Sequence, residues 1–117
     1  MAGLSKRIHR GKEILYFDYQ GLNEAQMIDL IKQAEALILS ENKPVLQLTN
    51  IKNPFATPGF MSVVREAGEK TKHLTTKSAI VGISGAKKIL LGAYNAIVGG
   101  VVKPFDNEDD ALDYLVK

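Results

Sequence analysis

From Val45 to Val64 the chain passes from a short apolar strand, Val45-Leu46-Gln47-Leu48, through a polar loop, Asn50 to Ala56, into a helix that opens at Thr57-Pro58-Gly59. Proline at a first helical position leaves no N–H unsatisfied, and threonine before it is a favoured cap. This strand–loop–helix unit, repeated along the chain, limits the possible folds more than any other feature. Strands that alternate with helices imply a mainly parallel sheet joined by right-handed crossovers.

The remaining segments extend the pattern in both directions. Lys6-Arg7-Ile8-His9, a turn at Arg10-Gly11-Lys12, and the β-favouring run Glu13-Ile14-Leu15-Tyr16-Phe17-Asp18-Tyr19 read as a hairpin whose second strand is central to the sheet. From Asn23 to about Glu41, apolar Met27, Ile28, Leu30, Ile31, Ala34, Leu37 and Ile38 recur at helical spacing behind an Asn23 cap. Phe60, Val63, Val64 and Ala67 form the buried side of the next helix. Ser78-Ala79-Ile80-Val81-Gly82-Ile83 is almost wholly apolar, as in a strand buried on both faces. Ser84 caps a third helix that contains Ile89 to Val98 and stops at Gly99-Gly100. Val101-Val102-Lys103-Pro104-Phe105 is an edge strand, consistent with its proline. Asp106 or Asn107 caps a last helix with Glu108, Asp109 and Asp110 in its first turn, packed by Ala111, Leu112, Leu115 and Val116. The expected architecture is one α/β domain over residues 1–117, with a mixed, mostly parallel sheet of about five strands, an N-terminal hairpin and four helices.

Composition narrows the functions open to such a domain. There are no cysteines, which excludes disulfides, thiolate metal sites and a cysteine nucleophile, and the expected compartment is the cytoplasm. Fifteen basic and 13 acidic residues leave a net charge of +2, without the basic excess of a general nucleic-acid binder. No apolar run of signal length follows the first residues, and the third helix is too short to span a membrane, so stable insertion is not expected.

Two helix starts carry the candidate chemistry. Thr57 reads first as a helix cap, and a phosphate on the same hydroxyl would sit where a helix start stabilises negative charge; the two readings can coexist. Ser84-Gly85-Ala86-Lys87-Lys88 joins a capping serine, a glycine and two lysines, and Ser84, Gly85, Lys87 and Lys88 form a possible anion site. Ala86 stands where a hydrolase elbow needs glycine. His9 and His73 are far apart, with no carboxylate at metal-ligand spacing, and sequence spacing gives no support for Asp18, Glu13 or Asp29 as an acid/base pair. No metal, cofactor or catalytic set is expected. The apolar third helix reads as core, or as the contact of a homodimer.

The chain resembles the STAS domain, the SpoIIAA-like fold of anti-sigma-factor antagonists and of the cytoplasmic tails of sulphate transporters. The resemblance rests on Val45 to Leu48, the loop into Thr57-Pro58-Gly59, the run Ala79-Ile80-Val81-Gly82-Ile83-Ser84-Gly85, and the ending Pro104 to Ala111. It implies that Thr57 takes the place of the serine or threonine that a partner kinase, itself the anti-sigma factor, phosphorylates in this family. The family signature is an Asp-Ser-Ser/Thr-Gly-x-Gly run; Phe55-Ala56-Thr57-Pro58-Gly59-Phe60 lacks the aspartate and inserts a proline. The function expected is a non-enzymatic regulatory module that binds a protein partner through Asn53, Pro54, Phe55, Thr57, Pro58 and Gly59. The alternative is a carrier of a small anion, nucleotide or lipid, a role that relatives grouped with the CRAL-TRIO lipid-binding domains suggest.

Overall fold

The computed structural model describes residues 3–51, 58–82 and 102–117. Its strands are β1 (Gly3–His9), β2 (Lys12–Asp18), β3 (Val45–Asn50), β4 (Thr75–Val81) and β5 (Val102–Phe105). Its helices are α1 (Glu24–Glu41), α2 (Pro58–Thr71) and α3 (Glu108–Leu115). The strands lie in chain order across one sheet, with β1 and β2 antiparallel and every later pair parallel. This is the mixed, mostly parallel sheet that the alternation of elements implies.

Local chemistry sets the joints. At the hairpin, Arg10 and Gly11 both take positive φ, 50° and 79°, giving the two-residue turn whose twist matches that of the strands it joins. At the start of α1 the Asn23 side chain accepts from the Gln26 N–H at 2.8 Å, and the Gln26 side chain accepts from the Asn23 N–H at 3.0 Å. This reciprocal box satisfies donors that the helix itself cannot. Asn42 ends α1 in the left-handed region, φ 48°, and its N–H donates to the Ile38 carbonyl.

Packing follows the period-two alternation of β2. Leu15 and Phe17 face α1 and α2, in a core with Met27, Leu30, Ile31, Ala34, Ile38, Ile51, Phe60 and Ile80. Ile14 and Tyr16 face the other way, where Leu48, Ala79 and Val81 are covered by Ala111, Leu112 and Leu115 of α3. Among the described residues this gives three layers, with α1 and α2 on one face of the sheet and α3 on the other. Because α2 fully buries only Phe60 and Thr71 among its residues, with Met61, Val63, Val64 and Ala67 half-buried, Phe60 is its main anchor. The Phe60 ring meets Tyr19 edge-on at 5.4 Å.

Some boundaries differ from the sequence reading. β2 is an inner strand, paired with β1 and β3 as the residues imply, and β3 stands in the middle of the five because two strands follow on its far side. β4 begins at Thr75, whose hydroxyl donates to the Thr71 carbonyl and so ties the strand to the end of α2, while the Thr71 hydroxyl donates back to the Ala67 carbonyl within the helix. Asn107, not Asp106, caps α3, its side chain accepting from the Asp110 N–H at 2.8 Å. The third helix expected after Ser84 lies outside the described residues. Truncating Phe60 to alanine is expected to cost about 3–5 kcal/mol, the price of a void beneath α2, read as a lowered midpoint in urea unfolding followed by circular dichroism.

Candidate functional site

β2, β3 and β4 end level with one another, in the register Asp18 to Asn50 to Val81. Parallel strands place the starts of the following helices beyond this edge, which is where α/β sheets meet ligands and partners. Pro58 and Gly59 open α2 there and both are exposed. The Glu24 carboxylate, from the first turn of α1, lies so close to Gly59 that a Cβ at that position would collide with its Oε1. Of the residues expected to meet a partner, Asn53, Pro54, Phe55 and Thr57 lie outside the described residues. The same holds for Ser84, Gly85, Lys87 and Lys88.

On the α3 side of the same edge a polar network ties three strands to one helix. Tyr16 donates its hydroxyl proton to Glu108 Oε2 at 2.6 Å, Asn50 Nδ2 donates to the same oxygen at 3.2 Å, and Arg7 Nη1 donates to Oε1 at 3.0 Å. The Arg7 guanidinium also lies 3.7 Å over the Tyr16 ring. Burial alone would raise the Glu108 pKa, but the bonds from Tyr16, Arg7 and Asn50 outweigh it and hold the carboxyl below its ordinary 4.5. Burial first, and then the bond to Glu108, push Tyr16 up to about 12. A carboxylate supplied by three donors is an acceptor held in place, so Glu108 fastens the start of α3 to β1, β2 and β3. Farther along α3, Asp113 Oδ1 lies 3.2 Å from both His9 Nε2 and Arg10 Nη2.

Sequence spacing missed this network because its members stand as far apart as Arg7 and Glu108. The acidic first turn of α3 signals a helix dipole, and only the sheet register shows that Tyr16 and Asn50 flank it. His9 likewise gains a carboxylate neighbour, Asp113, from the far end of the chain. Glu13, Asp18 and Asp29 turn to different partners: Glu13 to Lys6 and Lys43, Asp18 to Gln20, Asp29 to Gln33. Among the described residues no group of three or more His, Cys, Asp and Glu side chains is placed to hold a metal ion. No described helix is long and apolar enough to cross a membrane.

Because Glu108 has a folded pKa below its unfolded value, its contribution is complete above about pH 4.5 and is lost as pH falls through the lowered value. Tyr16 works in the opposite sense, its contribution complete below pH 10 and lost as pH rises toward about 12. Glu108→Gln is expected to cost about 1–2 kcal/mol near neutral pH and to make acid unfolding shallower than in the wild type. Urea melts at about pH 7 and about pH 3 check this, the gap between the two proteins closing at the lower pH.

No protein-family model matches the sequence, and no curated protein matches it. Solved structures do. An uncharacterized protein of the DUF3478 family from Shewanella loihica PV-4, described as having a SpoIIAA-like fold, superposes with a TM-score of 0.65 at 20% identity, over 98% of this chain and 95% of that one. An anti-sigma-factor antagonist (STAS) domain protein from Planctomyces limnophilus superposes with a TM-score of 0.66 at 14% identity, over 99% of this chain and 100% of that one. The five-stranded mixed sheet and its opening hairpin agree with that likeness, and the chain has a SpoIIAA-like fold.

Proposed function

We propose that this chain is a non-enzymatic regulatory module that binds a protein partner through the start of α2 and the loop before it, Asn53 to Gly59, under control of phosphorylation at Thr57. The observation that carries the reading is the exposure of Pro58 and Gly59 on a helix whose next residue, Phe60, is 2% exposed and anchored in the core. A partner therefore meets a firmly seated helix start with little side chain on it, and a group at Thr57 stands one residue before that start. The full-length likeness to an anti-sigma-factor antagonist domain supports a protein partner, here an anti-sigma factor or a kinase. The best-defined carboxylate at the sheet edge, Glu108, is spent on three donors that hold the fold, which supports binding rather than proton-transfer chemistry. The module acts in the cytoplasm in this reading, where such a kinase has access to it.

The test begins with protein purified from its own host. A phosphate-sized mass that disappears in Thr57→Ala would establish the modification. Thr57→Asp is expected to change the affinity for the co-purifying partner by about tenfold or more, a difference of about 1.4 kcal/mol, with an unchanged circular dichroism spectrum. Equal retention of the partner by both forms would remove Thr57 from the mechanism, and a bound small molecule in place of a protein would favour a carrier.

A further inference from the structure

The sheet has two edges, and the chain treats them differently. β5 is four residues long and contains Pro104, a residue that helps a strand edge block further pairing. β1, at the other edge, is seven residues long and has no proline. The two-residue turn at Arg10-Gly11 makes His9 and Lys12 a hydrogen-bonded pair, and the ladder alternates from there. Arg7, opposite Ile14, and Ser5, opposite Tyr16, direct their N–H and C=O groups to β2, whereas Leu4, Lys6 and Ile8 direct theirs away from it. No described strand meets those outward groups. Charges on an edge strand ordinarily keep other strands off, but here they are drawn inward. Lys6 Nζ lies 2.6 Å from Glu41 Oε2 and 3.5 Å from Glu13 Oε1, Arg7 is held by Glu108 on the opposite face, and His9 and Arg10 both reach Asp113. Ile8, among them, is 70% exposed.

We propose that β1 is the contact of a homodimer, in which two copies pair antiparallel through the outward groups of Leu4, Lys6 and Ile8 and join their sheets into one. A two-fold axis beside Lys6 sets Leu4 opposite Ile8 of the partner subunit and Ile8 opposite the partner's Leu4. Leu4 already packs against the core beneath α1, so each exposed isoleucine gains an apolar neighbour from the other copy. A strand that complements itself in this way meets the requirement of an isologous contact. The facing lysines do not oppose the pairing, because each has Glu13 and Glu41 of its own chain beside it, and Lys43 balances those carboxylates in turn. Such a neutral face selects a second copy over a strongly acidic or basic foreign strand, which would find no net opposite charge there. Because the two copies run antiparallel, their carboxyl edges point in opposite directions and the two α2 starts stand at opposite ends of the assembly. The pairing involves neither the α2 start nor a modification at Thr57.

Sedimentation velocity on the full chain tests this. At about 0.1 mM, well above a micromolar dissociation constant, the wild type is expected at twice its 12.8 kDa and Ile8→Pro at the single mass. Proline at this position removes an outward N–H and leaves the bonds between β1 and β2 in place. Should that variant fail to fold, Ile8→Lys adds a charge to the edge without altering the backbone and is expected at the single mass as well. Hydrogen exchange locates the contact: the amides of Leu4, Lys6 and Ile8 are expected to exchange about tenfold or more slowly at the higher concentration than after roughly hundredfold dilution. A single mass for the wild type would overturn the proposal, and so would a doubled mass that the folded variants retain. Protection of those amides only after a different protein is added would assign the edge to a foreign strand and count against self-pairing.

Discussion

The burial of β2 on both faces is the constraint from which the rest of the structure follows. Five successive residues, Ile14 to Asp18, are buried, and by alternation Ile14 to Phe17 serve two different cores. β2 is also where the sheet changes direction, antiparallel to β1 and parallel to β3. A strand in that position needs cover above and below, which α1 and α2 supply on one side and α3 on the other. The short α3 buries only Ala111, Leu112 and Leu115 as fully covered residues, so its apolar contact is small for the surface it must protect. The bonds from Arg7, Tyr16 and Asn50 to Glu108 add directional attachment where apolar area is limited, and they tie the helix start to β1, β2 and β3.

The carboxyl edge of the sheet gathers positive helix ends, and the chain treats each of them differently. α3 has three acidic residues in its first turn and uses Glu108 as an acceptor for strand side chains. α1 has a complete capping box and one acid, Glu24. α2 has none, and a carboxylate of α1 lies against its second residue. Parallel βα units make this crowding unavoidable, because every crossover helix starts at the same side.

Much of the fold was legible in the residues. Helical spacing from Met27 to Ile38 with an Asn23 cap, the hairpin turn at Arg10-Gly11, and the proline of β5 each act over a few neighbouring positions, so local chemistry is enough to place them. Less was legible of the site. Gly59 reads in the sequence as one element of a helix-opening motif; its lack of a side chain gains meaning only when α1 is packed alongside. Glu108 reads as a dipole charge and turns out to hold a hydroxyl, an amide and a guanidinium from three strands. His9 reads as isolated, and its neighbour Asp113 arrives from 104 positions away.

The sequence by itself determined the order of the described elements, the alternation that makes the sheet mostly parallel, and the cap that starts α1, because periodicity, turn residues and capping act within a few positions of the chain. The tertiary structure decided which strand is in the middle, which charges neutralise one another, and which helix supplies the carboxylate at the start of α2. Those outcomes depend on side chains brought together through strand register and helix packing, and Coulomb and hydrogen-bond energies are set by distance in space rather than by distance along the chain.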